Sequence, residues 1–285
     1  MNSNSENKKV WFITGTSSGF GRALAEEILA KGDRVVATAR KPEVLQDLIE
    51  KYPDTARAVR LDVTNPEDAK SAIREAVEQF GRIDVLVNNA GYALVGAIEE
   101  TSDEQIRQQF DTNVFGVLNV TREALPVLRR QKSGHIVNIG SVVGISAWAS
   151  LGIYSATKFA LEGVSEALAV EVAPLGIKTT IVEPGPFNTG GVERAVFADN
   201  LLPQAYSSTT QLPEVFREFS STAGDPVKAV RIIIEAVESE NPPFHLPLGL
   251  PAFEAIEAKL EGVKEEISVW RERATQTNFD VAANA

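Results

Sequence analysis

Three side chains suited to proton transfer lie close together in the middle of the chain. Tyr154 and Lys158 are four residues apart, which places both side chains on one face of a helix. A tyrosine with an ordinary pKa of about 10 is a poor base at neutral pH, but a neighbouring ammonium stabilises the phenolate and lowers that pKa. Ser141 follows a predicted strand, and its hydroxyl could hold a substrate oxygen as charge develops on it. The trio predicts general acid–base chemistry, although a Tyr-x-x-x-Lys pair alone is common on ordinary helix surfaces.

A glycine-rich turn near the start of the chain is the second chemical signal. It reads Thr14-Gly15-Thr16-Ser17-Ser18-Gly19-Phe20-Gly21 and lies between the first predicted strand and the first predicted helix. Its glycines let the backbone approach a pyrophosphate closely, while the helix N-terminus offers unpaired N–H groups. The Gly-x-x-x-Gly-x-Gly spacing departs from the usual G-x-G-x-x-G, and a purely structural turn is the alternative. Its place after the first strand of a strand–helix series favours a dinucleotide-binding site.

The elements that position these residues alternate regularly along the chain. Alternating strands and helices imply parallel strands with helical crossovers, so the expected fold is α/β, a single doubly wound Rossmann-type domain with about seven parallel strands flanked by helices. Predicted strands cover residues 10–14, 34–39, 58–63, 84–88, 135–140, 178–183 and 244–248. Predicted helices cover residues 20–30, a segment opening at Pro42, 66–80 after Asn65 as N-cap, 102–130, 155–172 and 226–237.

No linker divides the chain, and we interpret residues 1–285 as one domain. Residues 186–224 are rich in glycine, proline, serine and threonine, and so long an irregular segment predicts a substrate lid. The remaining divisions are a disordered leader (1–8), a dinucleotide-binding and catalytic core (9–185), C-terminal helices with the last strand (225–272) and a tail (273–285).

Apolar residues in the closing segment recur at alternating spacings of three and four. This pattern predicts an amphipathic helix, which we expect to dock on the same fold, with a partner-binding helix as the alternative. The residues that make the stripe are Phe253, Ile256, Leu260, Val263, Ile267 and Trp270.

Together these motifs resemble those of the classical short-chain dehydrogenase/reductase family. The resemblance covers roughly residues 8–190 and weakens toward the end of the chain. Agreement in both order and spacing across independent motifs makes chance similarity negligible. The motifs are Thr14-Gly15-x-x-x-Gly19-x-Gly21, Asp62-Val63, Asn88-Asn89-Ala90-Gly91, Asn113, Ser141, Tyr154-x-x-x-Lys158, and Pro184-Gly185 followed by Thr189.

The resemblance implies a role for each of these positions. Tyr154 would be the catalytic acid and base, Ser141 would orient the carbonyl, and Lys158 would bind the nicotinamide ribose and tune Tyr154. Asn113 would hold a water in a proton relay through Lys158, with a purely structural asparagine as the alternative. The expected cofactor-binding residues are Gly15, Ser17, Ser18, Gly19, Phe20, Gly21, Arg40, Asp62, Val63, Asn88, Ala90, Gly91, Tyr154, Lys158, Pro184, Gly185, Phe187 and Thr189.

The end of the second predicted strand bears on the choice between NAD and NADP. A member that prefers NAD would carry a carboxylate there for the ribose diol, but Ala39 holds that position and Arg40 follows it. Arg40 could pair with a 2′-phosphate, which a carboxylate would repel. Some NADP-preferring members also have a basic residue where this chain has Ser18, and a solvated loop charge is the alternative for Arg40. NADP(H) is the expected cofactor, with NAD(H) less favoured.

Composition argues against several other functions. The formal net charge of −11 disfavours nucleic acid as a partner, because an acidic surface repels phosphates. The absence of cysteine excludes disulfides and thiolate chemistry, and two distant histidines, His135 and His245, give no metal-ligand spacing, so no metal is expected. No apolar segment approaches the ~20 residues of a membrane span, and the polar N-terminus does not resemble a signal peptide. We therefore expect a cytoplasmic protein without a membrane partner.

The substrate is expected to be a hydrophobic ketone, aldehyde or secondary alcohol. A 3-oxoacyl-carrier reductase is the nearest alternative, and a non-catalytic dinucleotide-binding regulator is a more distant one. The resemblance also implies a homodimer or homotetramer assembled through helices 102–130 and 155–172. The expected pocket wall, for which core packing is the alternative, comprises Tyr92, Leu94, Val143, Trp148, Phe187 and parts of 190–224.

Overall fold

The computed structural model describes residues 8–191, 194–207 and 223–277. Nearly all of the predicted leader, much of the predicted lid and the end of the predicted tail lie outside these residues. The strands in the described part are β1 (Val10–Ile13), β2 (Arg34–Ala39), β3 (Ala56–Arg60), β4 (Val85–Asn88), β5 (Leu94–Val95), β6 (Gly134–Ile139), β7 (Ile177–Pro184), β8 (Val196–Phe197) and β9 (His245–Leu248).

Seven of these strands form one parallel sheet in the order β3-β2-β1-β4-β6-β7-β9. Strand β1 lies at the centre, with Trp11 opposite Val35 on one side and Val85 on the other. The chain winds outward from β1 in one direction and then, from β4, in the opposite direction. The carboxyl ends of β1 and β4 therefore border the crevice where open α/β sheets bind ligands. This topology confirms the predicted doubly wound fold.

Successive strand residues point to opposite sides of the sheet, so both faces carry apolar side chains. Helices cover both faces and bury these side chains. The α-helices in the described residues are α1 (Gly19–Ala30), α2 (Gln46–Lys51), α3 (Pro66–Phe80), α4 (Asp103–Phe110), α5 (Gly116–Gln131), α6 (Gly152–Val172), α7 (Pro226–Glu238) and α8 (Leu250–Ala274). Trp11 and Ile13 pack under α1 and α7, whereas Phe12 packs with the residues of α3, α5 and α6. All three side chains are fully buried.

Helix α3 shows local sequence signals acting as expected. The Asn65 side chain caps it by accepting hydrogen bonds from the backbone N–H groups of Glu67, at 3.0 Å, and Asp68, at 3.4 Å. Pro66 occupies the first helical position, where no N–H donor is needed. Gly81 ends the helix with φ 78°, a left-handed conformation that glycine adopts without strain.

The long helical segment predicted over 102–130 is present, but it is not α-helical throughout, because a π-helical turn, Asp111–Phe115, lies between α4 and α5. A π turn inserts an extra residue and shifts the helical faces on either side of it. Here the shift coincides with two contacts: the Asn113 side chain bonds the backbone of Tyr92, and Gly116 faces Val63. Each half keeps its own amphipathic pattern, so the periodicity of the sequence does not reveal the π turn between them.

Several other boundaries differ by a few residues from the sequence-based expectation, including those of the second helix and the third strand. The segment after Pro42 begins as a 3₁₀ turn, Pro42–Leu45, and becomes α-helical in α2. The third strand ends at Arg60 and not at Val63, because it stops pairing with β2 where that strand ends at Ala39. Residues 61–63 consequently follow the strand end and lie along the crevice.

The expectation that the C-terminal helix docks on the fold is wrong beyond its first two turns. Ala252 is buried, and Ile256 packs against the cluster formed by Val142 and Val143. Farther along α8, Leu260 is 60% exposed and Trp270 is also 60% exposed. Within the described residues the second half of α8 therefore lies free of the domain.

Candidate active site

A cleft of about 1020 Å³ runs along the carboxyl ends of the central strands. Most of the residues singled out by their motifs line it, although they are scattered over the chain. The lining residues come from the glycine turn and from the segments that follow β2, β4, β6 and β7. The predicted site residues on its wall are Gly15, Ser17, Ser18, Gly19, Phe20, Arg40, Asp62, Val63, Ala90, Gly91, Ser141, Tyr154, Lys158, Pro184, Gly185, Phe187 and Thr189.

The glycine turn is held against the end of β4 by Asn89. The Asn89 side-chain amide donates to the carbonyl oxygens of Thr14, at 2.9 Å, and Gly15, at 3.0 Å. The Thr14 hydroxyl in turn accepts from the backbone N–H groups of Asn89 and Ala90, both at 2.9 Å. Gly15 has φ 70°, and a Cβ there would lie 2.9 Å from the Cα of Ala90. The turn is thus a close-packed cradle that a dinucleotide could approach along its backbone.

Ser141, Tyr154 and Lys158 converge at the floor of the cleft. Ser141 immediately follows Gly140 at the end of β6, and Tyr154 and Lys158 lie one turn apart at the start of α6. A hydrogen bond joins the Ser141 hydroxyl to the Tyr154 phenol. The Lys158 ammonium donates to the carbonyl oxygen of Ile139 at 2.7 Å and lies 5.7 Å from the centre of the Tyr154 ring. This arrangement can transfer a proton to or from an oxygen placed beside the phenol.

Burial dominates the protonation of this group. It raises the pKa of the Tyr154 phenol above 10, and the hydrogen bond with Ser141 only partly counteracts it. Burial also lowers the pKa of the Lys158 ammonium to about 8, opposed by the charge of Glu162. The expectation that Lys158 lowers the pKa of the phenol stays a prediction. Desolvation acts against it, and the spacing of Tyr154 and Lys158 does not reveal that effect.

Three of the predicted site residues lie behind the cleft wall. The side-chain amide of Asn113 donates to the carbonyl oxygen of Tyr92, at 3.0 Å, and to the Thr157 hydroxyl, at 3.2 Å. Asn88 is also buried and bridges β4 to β6 by donating to Asn138 at 2.8 Å. Gly21 lies under the glycine turn, where a Cβ would be 2.5 Å from the Gly15 carbonyl oxygen. In the structure these residues brace the site without lining it.

Two arginines occupy the part of the cleft farther from Tyr154. Arg40 is exposed at the end of β2, and it makes no ion pair or hydrogen bond with the described residues. Arg194, which the sequence analysis missed, donates to the carbonyl oxygen of Thr189 at 2.8 Å and approaches Gly19. Asp62 points its carboxylate back to its own loop, accepting from the Thr64 hydroxyl at 2.8 Å. The guanidinium groups of Arg40 and Arg194 therefore give this part of the cleft positive charge that an anionic ligand could meet.

The predicted substrate wall lies beside the acid–base trio. Tyr92, Leu94, Val143, Trp148 and Phe187 all border the cleft. The Phe187 ring packs edge-on against Phe20, with 5.3 Å between the ring centres. Within the predicted lid, β8 pairs with β5, and the two ends of the segment meet where Asn188 donates to Gly224 at 3.0 Å. The described ends of 186–224 are thus hydrogen-bonded to each other, and its strand β8 pairs with β5 beside the apolar wall.

Comparison with known proteins identifies the family. The family model described as "short chain dehydrogenase" matches residues 9–199. The chain belongs to the short-chain dehydrogenase family. It is 38% identical over 266 residues to Oxidoreductase BOA17 of Botryotinia fuckeliana, covering 93% of this chain and 97% of that protein. It is 36% identical over 253 residues to 3-ketodihydrosphingosine reductase of Bacteroides thetaiotaomicron, covering 88% and 91%.

Solved structures of short-chain dehydrogenases have the same architecture. A short-chain dehydrogenase from Streptomyces avermitilis superposes with a TM-score of 0.89 at 44% identity, covering 96% of this chain and all of that one. A Burkholderia phymatum family member in complex with NAD gives a TM-score of 0.80 at 26% identity over 91% and 95% of the two chains. ElxO with NADP bound gives 0.72 at 29% identity over 84% and 96%. Structural neighbours of this dehydrogenase thus bind either nicotinamide dinucleotide.

A cluster of two buried carboxyl groups and the exposed His245, behind the trio of this short-chain dehydrogenase, escaped the sequence analysis. His245 Nδ1 lies 2.6 Å from Glu183 Oε1 and 4.0 Å from Glu162 Oε2. Both carboxyl groups are at least nine-tenths buried, and neither oxygen of Glu162 accepts a hydrogen bond from the described residues. These groups can bind metals and approach within 4.8 Å of one another, so the expectation of no metal site stays a prediction. Glu162 follows Lys158 by one helical turn, which was the available signal.

None of the described helices of this dehydrogenase is both long and apolar enough to span a membrane.

Proposed function

We propose that this short-chain dehydrogenase is an NADP(H)-dependent oxidoreductase for a hydrophobic ketone or aldehyde, or the corresponding secondary alcohol. The observation that carries the proposal is the convergence of Ser141, Tyr154 and Lys158 beside the cradle formed by the glycine turn. The bound nicotinamide would supply or accept the hydride. Side chains of this protein would donate the proton, orient the substrate oxygen and stabilise the charge that develops.

In the reducing direction, the Tyr154 phenol would donate its proton to the carbonyl oxygen while the carbonyl carbon receives the hydride. Ser141 would hold that oxygen by a second hydrogen bond and stabilise the charge that develops there. Lys158 would stabilise the phenolate left on Tyr154, because an ammonium nearby favours the charged form. Oxidation of the alcohol reverses these transfers, with the phenolate accepting the hydroxyl proton.

Replacing Tyr154 by phenylalanine tests this assignment. Tyr154→Phe removes the proton but keeps the ring, so we expect turnover to fall by a factor on the order of 10²–10⁴ while cofactor affinity persists. The assay is NADPH consumption over a panel of apolar ketones, with cofactor binding followed by fluorescence titration. Tyr52→Phe, outside the cleft, is the matched control and should leave turnover unchanged. A Tyr154→Phe variant with the turnover of the wild type contradicts the proposal.

The preference for NADP(H) rests on Arg40. Its guanidinium is exposed and unpaired among the described residues at the edge of the cleft, where a 2′-phosphate could bind. A charge-assisted hydrogen bond contributes about 1.5–3 kcal/mol, which corresponds to roughly 10- to 150-fold in affinity. Arg40→Asp should lower kcat/KM for NADPH by that factor and spare NADH. Lys70→Asp makes the same charge change on α3, outside the cleft, and should affect neither cofactor. Equal or better use of NADH by the wild type refutes the preference.

The substrate class rests on the apolar wall formed by Leu94, Val143 and Trp148. A relative at 36% identity is named 3-ketodihydrosphingosine reductase, and this name supports a ketone substrate here. Replacing residues 190–224 of the predicted lid by a short linker should change selectivity among ketones of different size more than it changes cofactor affinity. Unchanged selectivity in that variant contradicts a role for the segment in substrate choice.

We also propose a homo-oligomer assembled through α4, α5 and α6. Phe115, at the junction of α4 and α5, is 53% exposed, and Phe159 on α6 is 43% exposed. Large apolar side chains on adjacent helices of this kind favour contact with another copy. A location in the cytoplasm remains part of the proposal.

A further inference from the structure

A heptad pattern runs along α8 from its docked first turns into its free half. Placing Phe253 at position a puts Leu260 and Ile267 at the next a positions and Ile256, Val263 and Trp270 at d. Apolar a and d residues are the seam along which two helices pack as a coiled coil. Phe253 is 47% exposed and Ile267 56% exposed, and Ile256 alone of the set contacts the buried core clusters.

The charges that flank this seam match those of a second copy in one orientation. Consider an antiparallel pair in which Leu260 of one copy packs against Val263 of the other. Each g residue then faces a g residue of the other copy, and each e residue faces an e residue of the other copy. Lys259 then meets Glu266, and Lys264 meets Glu257. The two-fold axis repeats each pair, so four opposite-charge contacts border the seam and no like charges meet.

The parallel orientation fits less well. Position g of one helix then faces the following e position of its partner. Lys259 would meet Lys264 of the other copy twice, and the opposite-charge pair of Glu266 with Arg271 would only offset this repulsion. The antiparallel register also matches the core sizes, with Phe253 opposite Trp270 and Ile256, which is only partly buried by the domain, opposite Ile267 in successive layers.

We propose that α8 is a self-association surface, through which two copies of this chain pair by an antiparallel coiled coil. A second copy is favoured because the seam and its charges are self-complementary about a two-fold axis, as an isologous interface requires. A membrane surface fits poorly, because α8 holds six glutamates against four lysines and arginines, whereas interfacial helices are typically basic. This interface is separate from the one proposed on α4, α5 and α6, and it does not depend on catalysis.

Light scattering on the full chain tests the interface. The wild type should have at least the mass of a dimer at micromolar concentration, and Leu260→Asp should halve the mass while ketone reduction per chain persists. Ser268→Asp, on the exposed face of the same helix, is the matched control and should keep the wild-type mass. A monomeric wild type, or a Leu260→Asp variant of unchanged mass, overturns the proposal and leaves α8 for another partner.

Charge reversal tests the orientation. Lys259→Glu should weaken the antiparallel pair, and Lys259→Glu combined with Glu266→Lys should restore it. In a parallel pair, Lys259→Glu would instead strengthen association, because the new carboxylate would then face Lys264 of the other copy. The chain has no cysteine, so Ala274→Cys provides a single labelling site for energy transfer between copies. Antiparallel helices place the two labels roughly 35 Å apart from the rise of 1.5 Å per residue, and transfer typical of adjacent labels overturns the orientation.

Discussion

Replacing Glu162 by glutamine should change how the stability of the protein depends on pH. The Glu162 carboxyl is 10% exposed, and its pKa is raised from 4.5 to about 8. Loss of hydration on burial is the main cause, followed by the nearby Glu183 charge; His245 and Lys158 act in the opposite sense, and Glu166 adds a smaller increase. Glu162 therefore holds a proton in the folded protein at a pH where the unfolded chain has released it.

The sign of the effect follows from proton linkage. A carboxyl whose folded-state pKa lies above its unfolded value contributes full stability below pH 4.5, and this contribution is lost as the pH rises toward 8. Each pH unit within that window lowers the free energy of unfolding by about 1.4 kcal/mol. From pH 5 to pH 7.5 the loss attributable to Glu162 is on the order of 3 kcal/mol.

Urea unfolding of Glu162→Gln and of the wild type at several pH values measures this loss directly. The amide resembles the protonated carboxyl, so the variant should match the wild type near pH 5 and exceed it at pH 8 by a few kcal/mol. Glu166→Gln, one turn farther along α6 and exposed, should keep the wild-type pH dependence. If Glu162→Gln and the wild type lose the same free energy between pH 5 and pH 8, the buried carboxyl is not protonated in the folded state and the reasoning fails.

Three further predictions use other contacts. Reduction of a ketone should slow as the pH rises above about 8, where Lys158 loses the charge that stabilises the phenolate, and a flat kcat profile from pH 6 to 9.5 would contradict this. Gly21→Ala should weaken cofactor binding in a fluorescence titration, because the new Cβ would lie 2.4 Å from the Asn89 side-chain nitrogen; Gly163→Ala, with open space around it, should leave binding unchanged. Asn65→Ala should lower the free energy of unfolding by about 1 kcal/mol through loss of the helix cap, without affecting turnover.

The sheet and the floor of the site could be predicted because their signals are local. Strand–helix alternation sets the parallel topology, and the i,i+4 spacing of Tyr154 and Lys158 sets their common face. Asn65 caps α3 with its side chain, and Pro66 occupies the first helical position. Each of these rests on neighbouring residues, so a single sequence contains the whole argument.

The features that could not be predicted depend on contacts between distant segments. The π turn around Asn113 reflects bonds to Tyr92, twenty-one residues earlier. The Asn89 side chain donates a hydrogen bond to the glycine turn, about seventy-five residues before it. The motif shows that Asn89 is present, but it does not show this contact. For α8 the seam pattern was visible, but apolar periodicity is the same whether the partner is the same domain or another chain.

Burial acts in opposite directions on the two titrating members of the trio. It holds the proton on Tyr154 by raising the pKa of the phenol, and it loosens the proton on Lys158 by lowering the pKa of the ammonium to about 8. When ionised, Glu162, one turn beyond Lys158, opposes the second effect. The resting site is therefore a protonated phenol beside an ammonium, a state that can donate a proton to a carbonyl oxygen at once. To oxidise an alcohol the same site must first lose the phenolic proton against the desolvation that raised its pKa. The phenolate would therefore be a state that the reaction passes through in either direction, and its stabilisation by Lys158 stays a prediction.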